Sequence, residues 1–215
     1  MRPYSPPRVD PASTVAALES AFTVANARRS VRQFSSDPVP RAAIEAAIRV
    51  AGTAPSGAHR QPWYFVAIDD PGLKAQIREA AEAEERAFYD GRATPEWLAA
   101  VAPLGTDVVK AHLTDAPWVV VVFRRDSEPG PDGPLKNYYV SESVGIAVGF
   151  FLSAIHAAGL AALTHTPAPM TFVRQLLGRP ANEKPYVIIP VGYPAEGCVV
   201  PDIERKPLAR IAEFR

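Results

Sequence analysis

Residues 117–123 read Pro-Trp-Val-Val-Val-Val-Phe, an uninterrupted apolar run. A strand that buries one face alternates apolar and polar residues, whereas an unbroken run is typical of a strand buried on both faces. Few soluble structures can supply such a position, because both sides of the strand must be covered by other elements. The run therefore predicts a strand in the interior of the protein.

The remaining chain alternates between helical and strand patterns. Asp10-Pro11 is a helix start signal, and apolar residues at helical spacing follow it at Val15, Leu18, Phe22 and Ala25. Further helices are predicted over 44–51, 70–89, 95–100, 137–158 and 169–177, and further strands over 63–68, 160–166 and 186–193. Residues 1–9 are expected to form a flexible tail. This alternation predicts an α/β or α+β protein.

The long helix predicted over 137–158 has a seam of small residues along one side. Every fourth residue is small, at Ser141, Gly145, Gly149 and Ser153. Another backbone can approach such a seam closely, so the helix is either the central core helix or a helix at a subunit interface. A membrane span is not expected, because polar residues interrupt the segment at Glu142, Ser143, Ser153 and His156.

Composition excludes several classes of function. Lys+Arg and Asp+Glu both total 23, which argues against a general nucleic-acid binder. Cys198 is the only cysteine, so no intramolecular disulfide or cysteine-cluster metal site is possible. The four histidines lack metal-binding spacing, and no metal is expected. The N-terminus has no apolar run, so we expect no signal peptide and no membrane anchor, and a cytoplasmic location.

Arginines cluster at Arg28, Arg29 and Arg32, around Ser30, and Arg205 and Lys206 form a second basic pair near the other end of the chain. Guanidinium groups pair bidentately with phosphate, although cations also occur at solvated helix ends. The chain has no GxSxG, GxGxxG or Walker motif. The pattern thus indicates a cofactor with a phosphorylated tail, FMN or pyridoxal phosphate. Pyridoxal phosphate fits less well because it needs a Schiff-base lysine.

Several motifs, in order, resemble the iodotyrosine deiodinase branch of the FMN-dependent nitroreductase superfamily. They are Arg28–Arg32, Ala54–His59 with Gln61–Trp63, Leu163–Pro167, Leu177–Pro180, Val191–Pro194 and Val200–Asp202 with Arg205–Leu208. The resemblance covers about residues 27–208. It implies an α+β, nitroreductase-like fold with a central mixed sheet flanked by helices. Residues 10–215 would form one domain, and FMN sites would lie at a homodimer interface.

The resemblance also assigns roles to residues. It implies FMN contacts from Arg28, Arg29, Ser30, Val31, Arg32, Pro55, Ser56, Leu163, Thr164, His165, Thr166 and Arg205. The Thr166 position would donate a hydrogen bond to the flavin N5 and favour one-electron steps. His165, between two threonines, departs from the family pattern.

A lid over about residues 83–110 is implied as well. Its Glu85, Tyr89 and Lys110 would hold the ammonium and carboxylate of a halotyrosine, and the N–H of Ala58 would hold the phenolate. Glu85 and Tyr89 stand four residues apart on one face of a predicted helix. Each residue alone could equally be a surface or core residue, but the three in register favour the substrate-binding interpretation.

Three hypotheses follow. The first is an FMN-dependent reductive dehalogenase of halogenated tyrosines, the second a nitroreductase-type enzyme acting on nitroaromatics or quinones, and the third a flavin-binding sensor without turnover. For the enzymes, the electron donor is expected to be external: NAD(P)H through a separate flavin reductase, or ferredoxin.

Overall fold

The computed structural model describes all 215 residues, and its main sheet has four strands. These are β1 (Trp63–Ile68), β2 (Trp118–Arg125), β5 (Ala161–Ala162) and β6 (Glu183–Gly192), in the spatial order β1-β2-β6-β5. A separate hairpin follows β2, formed by β3 (Ser127–Glu128) and β4 (Leu135–Lys136). The strand ladders are antiparallel, and the parallel component of the expected mixed sheet is a single bridge between Ser30 and Ala162.

Seven α-helices complete the fold. They are α1 (Pro11–Ala27), α2 (Arg41–Ala51), α3 (Pro71–Gly91), α4 (Pro95–Val101), α5 (His112–Asp115), α6 (Val140–Ala157) and α7 (Thr171–Leu176). The predicted start of α1 is confirmed, because Asp10 caps it by accepting from the backbone N–H groups of Ala12 and Ser13. Residues 1–9 are exposed and have no regular structure.

Strand β2 is buried on both faces, as its apolar run predicts. Val120 and Val122 point to a core shared with α2 and α6, while Val119, Val121 and Phe123 point to a core shared with α3, α5 and α7. Side chains on a strand alternate between the two sides of a sheet, so an apolar residue is needed at every position. The protein is therefore a single sheet between two helical layers.

Two of the predicted strands differ from expectation. Strand β1 lies at the sheet edge and is only partly buried, whereas the apolar run 63–68 predicts a buried strand. Strand β5 has only two residues; beyond it the N–H of Leu163 donates to the carbonyl of Pro190, and His165 bridges to Ile188. Pro190 of β6 limits this ladder, because a proline nitrogen cannot donate a hydrogen bond.

Helix α1 has no buried residue. Its predicted apolar stripe is present, yet Val15, Leu18 and Phe22 are all exposed. The helix is tied to the domain at its end, where His156 Nε2 lies 2.8 Å from the carbonyl oxygen of Val24. Helical spacing shows that one face is apolar but not what covers that face.

Helix α6 is long and apolar enough to span a membrane, with a mean hydropathy of 1.5. Its apolar side chains pack inside the domain, where Val144, Phe151 and Ile155 belong to the core beneath β2. The seam of small residues lies on another side of the helix. No atom of the chain lies within 4 Å of where a Cβ on Gly149 would stand. At Gly145, by contrast, a Cβ would lie 3.1 Å from the Tyr186 hydroxyl. The helix is thus a core helix whose seam is covered at Gly145 and exposed at Gly149 and Ser153.

Candidate functional site

Four arginines gather at the end of α1. One cavity of about 220 Å³ is lined by Arg28, Arg29, Ser30, Arg32 and Arg205. The local structure explains the grouping: α1 ends at Ala27, the chain becomes extended, and Ser30 pairs with Ala162 beside the sheet. Within this extended segment Val31 is buried and its neighbours are not, so Val31 anchors the segment and the residues beside it face the cavity.

Arg205 joins the cluster from the C-terminal region. Its guanidinium donates to the carbonyl oxygens of Asn26 at 2.8 Å and Arg28 at 2.7 Å, the last carbonyls of α1. A cation at a helix C-terminus is favourable, because the carbonyls there have no partners within the helix. The two basic segments of the sequence therefore form one surface.

No carboxylate lies within ion-pair distance of these four arginines. Arg32 is half-buried and makes no side-chain hydrogen bond, and its burial lowers its pKa. A cluster of four guanidinium groups without a counter-ion, with Arg32 half-buried among them, is suited to binding a phosphate. The chemistry of these donors therefore fits a phosphorylated cofactor. No group of His, Cys, Asp and Glu side chains is arranged to hold a metal ion.

The arginine cavity adjoins a second cavity of about 410 Å³. Ser30 and Arg32 line both, and the second cavity extends to Thr106 and Asp107 in the predicted lid region and to His112 just beyond it. A molecule anchored among the arginines would have its other end near residues 104–112.

Glu85 and Lys110, two of the predicted substrate residues, form an ion pair in this region. Lys110 Nζ lies 3.3 Å from Glu85 Oε2, and Lys110 is only 3 % exposed. Lys110 also donates to the backbone carbonyl of Asp107. Burial opposes ionisation of Glu85, but a hydrogen bond from His165 and the charge of Lys110 outweigh it and lower the pKa of Glu85. Glu85 is therefore an anion at neutral pH.

Tyr89 follows Glu85 by one turn of α3. Its hydroxyl is buried without a hydrogen-bond partner, and burial followed by the charge of Glu85 raises its pKa. Its ring packs edge-on against Trp97 of α4, with the centroids 5.6 Å apart. The three residues predicted to bind an amino acid thus come from one structural unit, although their roles stay a prediction.

His112 and His165 lie against each other beside the predicted lid, although their spacing in the sequence does not predict a contact. The rings of His112 and His165 are 5.3 Å apart and nearly perpendicular, and both are buried. Burial first, and then the positive potential from His165, Lys110 and Arg32, lowers the pKa of His112 from 6.5 to about 3. His112 is thus neutral at working pH. No sequence signal indicates this pair, because the histidines lie in separate elements without a shared motif.

The structure does not bring every predicted FMN residue to the arginine cavity. The loop of Pro55, Ser56 and Ala58 lies at the opposite end of α6, where the N–H of Gly57 donates to Ser143 Oγ at 3.3 Å. Ala58 there has φ 50, the left-handed conformation that non-glycine residues rarely adopt.

Thr164, His165 and Thr166 alternate in direction. The two threonines are exposed and the histidine between them is buried. Thr166 lines a different cavity, together with Arg124, Lys184 and Tyr186. Neighbouring residues of an extended segment point to opposite sides, so His165 faces the lid while Thr166 faces away from it. Thr166 is the residue that the resemblance assigns to the flavin N5.

The fold and the arginine-lined site define a known class. The nitroreductase family model matches residues 25–193, and the chain belongs to the nitroreductase family. An iodotyrosine deiodinase from Haliscomenobacter hydrossis is 50 % identical over 97 % of this chain and 95 % of its own length. One from Hydra vulgaris is 44 % identical over 97 % of this chain and 78 % of its own length.

A solved structure agrees with these relatives. The crystal structure of an oxidized iodotyrosine deiodinase bound to FMN and 3-iodo-L-tyrosine matches 90 % of this chain and 100 % of that chain, with a TM-score of 0.77 and 31 % identity. Within the nitroreductase family, the chain thus belongs to the iodotyrosine deiodinase branch.

The neutral form of His112 generates a prediction about stability. The unfolded chain binds a proton at His112 below pH 6.5 while the folded chain does not until about pH 3. The free energy of unfolding should therefore fall as the pH drops through this window, because the unfolded state takes up the extra proton. His112→Gln should remove this component, as measured by urea unfolding at pH 7 and pH 5. His59→Gln, at an exposed position, should keep it; equal pH dependence in wild type and His112→Gln would contradict the assignment.

Proposed function

We propose that the protein is an FMN-dependent reductive dehalogenase that removes halide from mono- or dihalogenated tyrosine. The observation that carries the proposal is the Glu85–Lys110 ion pair beside Tyr89. Val109 and Ala111, on either side of Lys110 in the chain, line the cavity that continues to the arginines. The ion pair offers one charge for an ammonium group and the opposite charge for a carboxylate. The relatives and the solved structure with FMN and 3-iodo-L-tyrosine support the same substrate class.

Arg28, Arg29, Arg32 and Arg205 would hold the phosphate end of FMN. FMN, when bound, supplies the electrons for reduction of the substrate. Replacement of iodide by hydrogen on the ring consumes two electrons and one proton, and the electrons come from an external reductant. We propose NAD(P)H through a separate flavin reductase, or ferredoxin, as that source. The protein residues contribute binding, orientation and exclusion of water.

The substrate end would be held by the lid. The ammonium group would pair with Glu85, the α-carboxylate would pair with Lys110, and the Tyr89 hydroxyl would donate to the carboxylate. The backbone N–H of Ala58 would donate to the phenolate. A ligand without an ammonium or a carboxylate would gain neither of these ion pairs and would bind more weakly than an amino acid.

We also propose a homodimer in which each FMN site uses both subunits. The arginine cluster and the loop of Ser56 and Ala58 lie at opposite ends of α6, with Ser143 near one end and His156 near the other. These two helix positions are separated by about 20 Å at about 1.5 Å per residue. A second copy with its α6 antiparallel would place its own loop against the arginines of the first.

Uncovered apolar surface supports the homodimer. The stripe on α1 is exposed, Gly149 on α6 faces open space, and Phe150 beside it is 39 % exposed. The C-terminal segment also exposes Ile211 and Phe214. Exposed apolar patches on this scale mark interaction surfaces. A cytoplasmic location remains a prediction from the sequence.

Removing one arginine tests the cofactor site. Arg205→Ala should weaken FMN binding by about tenfold or more, because a hydrogen bond to a charged group contributes about 1.5–3 kcal/mol. Lys206→Ala is the matched control, since it removes the adjacent charge without touching the α1 carbonyls. Titration of the apoprotein with FMN, followed by flavin fluorescence, measures both. Equal weakening by the two substitutions would indicate only a general charge effect.

The α6 seam tests the homodimer. Gly149→Leu should yield a monomer that retains its helical content, since the added side chain meets nothing within the chain but would collide with a close second backbone. Gly149→Ala, with one added carbon, should still associate. Light scattering at micromolar concentration gives the mass, and circular dichroism gives the helix content. A wild-type monomer would refute the homodimer.

The lid tests the substrate class. Wild type should bind iodotyrosine much more tightly than iodophenol, and Glu85→Gln should reduce this preference by about tenfold or more while sparing FMN binding. Glu84→Gln, which alters the adjacent carboxylate paired with Arg92, should leave the preference intact. Flavin fluorescence quenching gives affinities, and dithionite-driven turnover gives activity. If iodophenol matches iodotyrosine in wild type, the nitroreductase-type function replaces the proposal.

A further inference from the structure

His165 connects the lid to the sheet. Its backbone N–H donates to the carbonyl of Ile188 at 2.8 Å, and its carbonyl accepts from the N–H of Ile188 at 2.9 Å. Both bonds fix the residue on the central strand β6. Its side chain then reaches α3, where Nε2 lies 3.3 Å from Glu85 Oε1. A rigid strand thus contacts the carboxylate of the lid directly.

The contact with Glu85 determines which ring nitrogen of His165 carries the hydrogen. Glu85 is ionised and can only accept, so the Nε2 of His165 carries the hydrogen and donates it. The other ring nitrogen, Nδ1, is buried and has no partner. The groups that face His165 are Glu85 from α3, Lys110 from the segment before α5, and the neutral ring of His112 from α5.

The two oxygens of Glu85 therefore have different partners. Oε1 is held by His165, whose backbone is fixed to β6, whereas Oε2 is held by Lys110, which also donates to the backbone carbonyl of Asp107. A substrate carboxylate offers Lys110 an alternative partner. Release of Lys110 would then expose Oε2 to the substrate ammonium while Oε1 stays in place.

We propose that His165 is a positioning residue that holds Glu85 in place for the substrate ammonium group. The inference rests on the proposed function and deepens it. In the empty protein, Lys110 pairs with Glu85; with an amino acid bound, Lys110 pairs with the α-carboxylate and the ammonium takes its place at Oε2. His165 keeps Oε1 throughout, so the lid carboxylate needs no reordering when substrate arrives, and less entropy is lost on binding.

A double-mutant cycle tests this role. His165→Leu should weaken iodotyrosine binding by about tenfold, and should weaken it by less than threefold in the Glu85→Gln background, because the histidine acts through the carboxylate. Iodophenol, which lacks the ammonium group, should bind equally to wild type and His165→Leu. His165→Gln, whose terminal amide can donate from a similar position, should recover most of the affinity. The FMN-loaded protein is used, and flavin fluorescence quenching gives each dissociation constant.

A second measurement follows the lid without any turnover. Trypsin cleavage after Arg86 and Arg92 should be faster in His165→Leu than in wild type, and iodotyrosine should protect the wild type more strongly. If the leucine variant does not fold, His165→Asn replaces it, because its amide is too short to reach Glu85.

The outcomes separate the two proposals. Equal weakening of iodotyrosine and iodophenol, or equal effects of His165→Leu in both backgrounds, would overturn the positioning role and leave the proposed function standing. A wild type that prefers neither ligand would instead overturn the proposed function.

Discussion

The burial of β2 on both faces is the constraint on which the rest of the structure depends. Its side chains from Val119 to Phe123 are fully buried, and each contributes about 1.5–3 kcal/mol when removed from water. One face requires the layer of α6, whose ends lie beside the arginine cluster and the 55–58 loop. The other face requires the layer of α3, which carries Glu85. Both helical layers therefore position residues of the site, and the cavity lined by Arg32 and His112 connects the arginine cluster to the α3 side.

Electrostatic satisfaction shapes the lid region. A buried carboxylate is costly without partners, and Glu85 has one partner on each oxygen. A zwitterionic substrate would replace the Glu85–Lys110 ion pair with two ion pairs, one to each side chain. Neither Glu85 nor Lys110 would then be left without a partner. A neutral phenol would bring no charge for either group and would gain neither ion pair. Selectivity for an amino acid is therefore what the proposed binding by Glu85 and Lys110 predicts.

Sequence patterns predicted the local parts of this site well. Glu85 and Tyr89 are close because they stand four residues apart on a helix, and Arg28 to Arg32 are close because they are adjacent. The contact between Glu85 and His165 could not be read in the same way, since it joins a helix to a segment beside β6. The side of the segment to which His165 points depends on the alternation of side chains along an extended chain. This segment is joined to the sheet only by isolated bridges and is not a regular strand.

The sequence by itself determined the elements, the central strand, the clustered arginines and the branch of the family, because each depends on local spacing or on ordered motifs. Only the tertiary structure decided which face of each element is covered. It left the stripe of α1 and the Gly149 end of the α6 seam exposed, placed β1 at an edge, and set Thr166 and Ser56 away from the arginines. The physical reason is that periodicity shows only which side of a helix or strand is apolar. Whether that side is buried depends on which other elements of the chain pack against it.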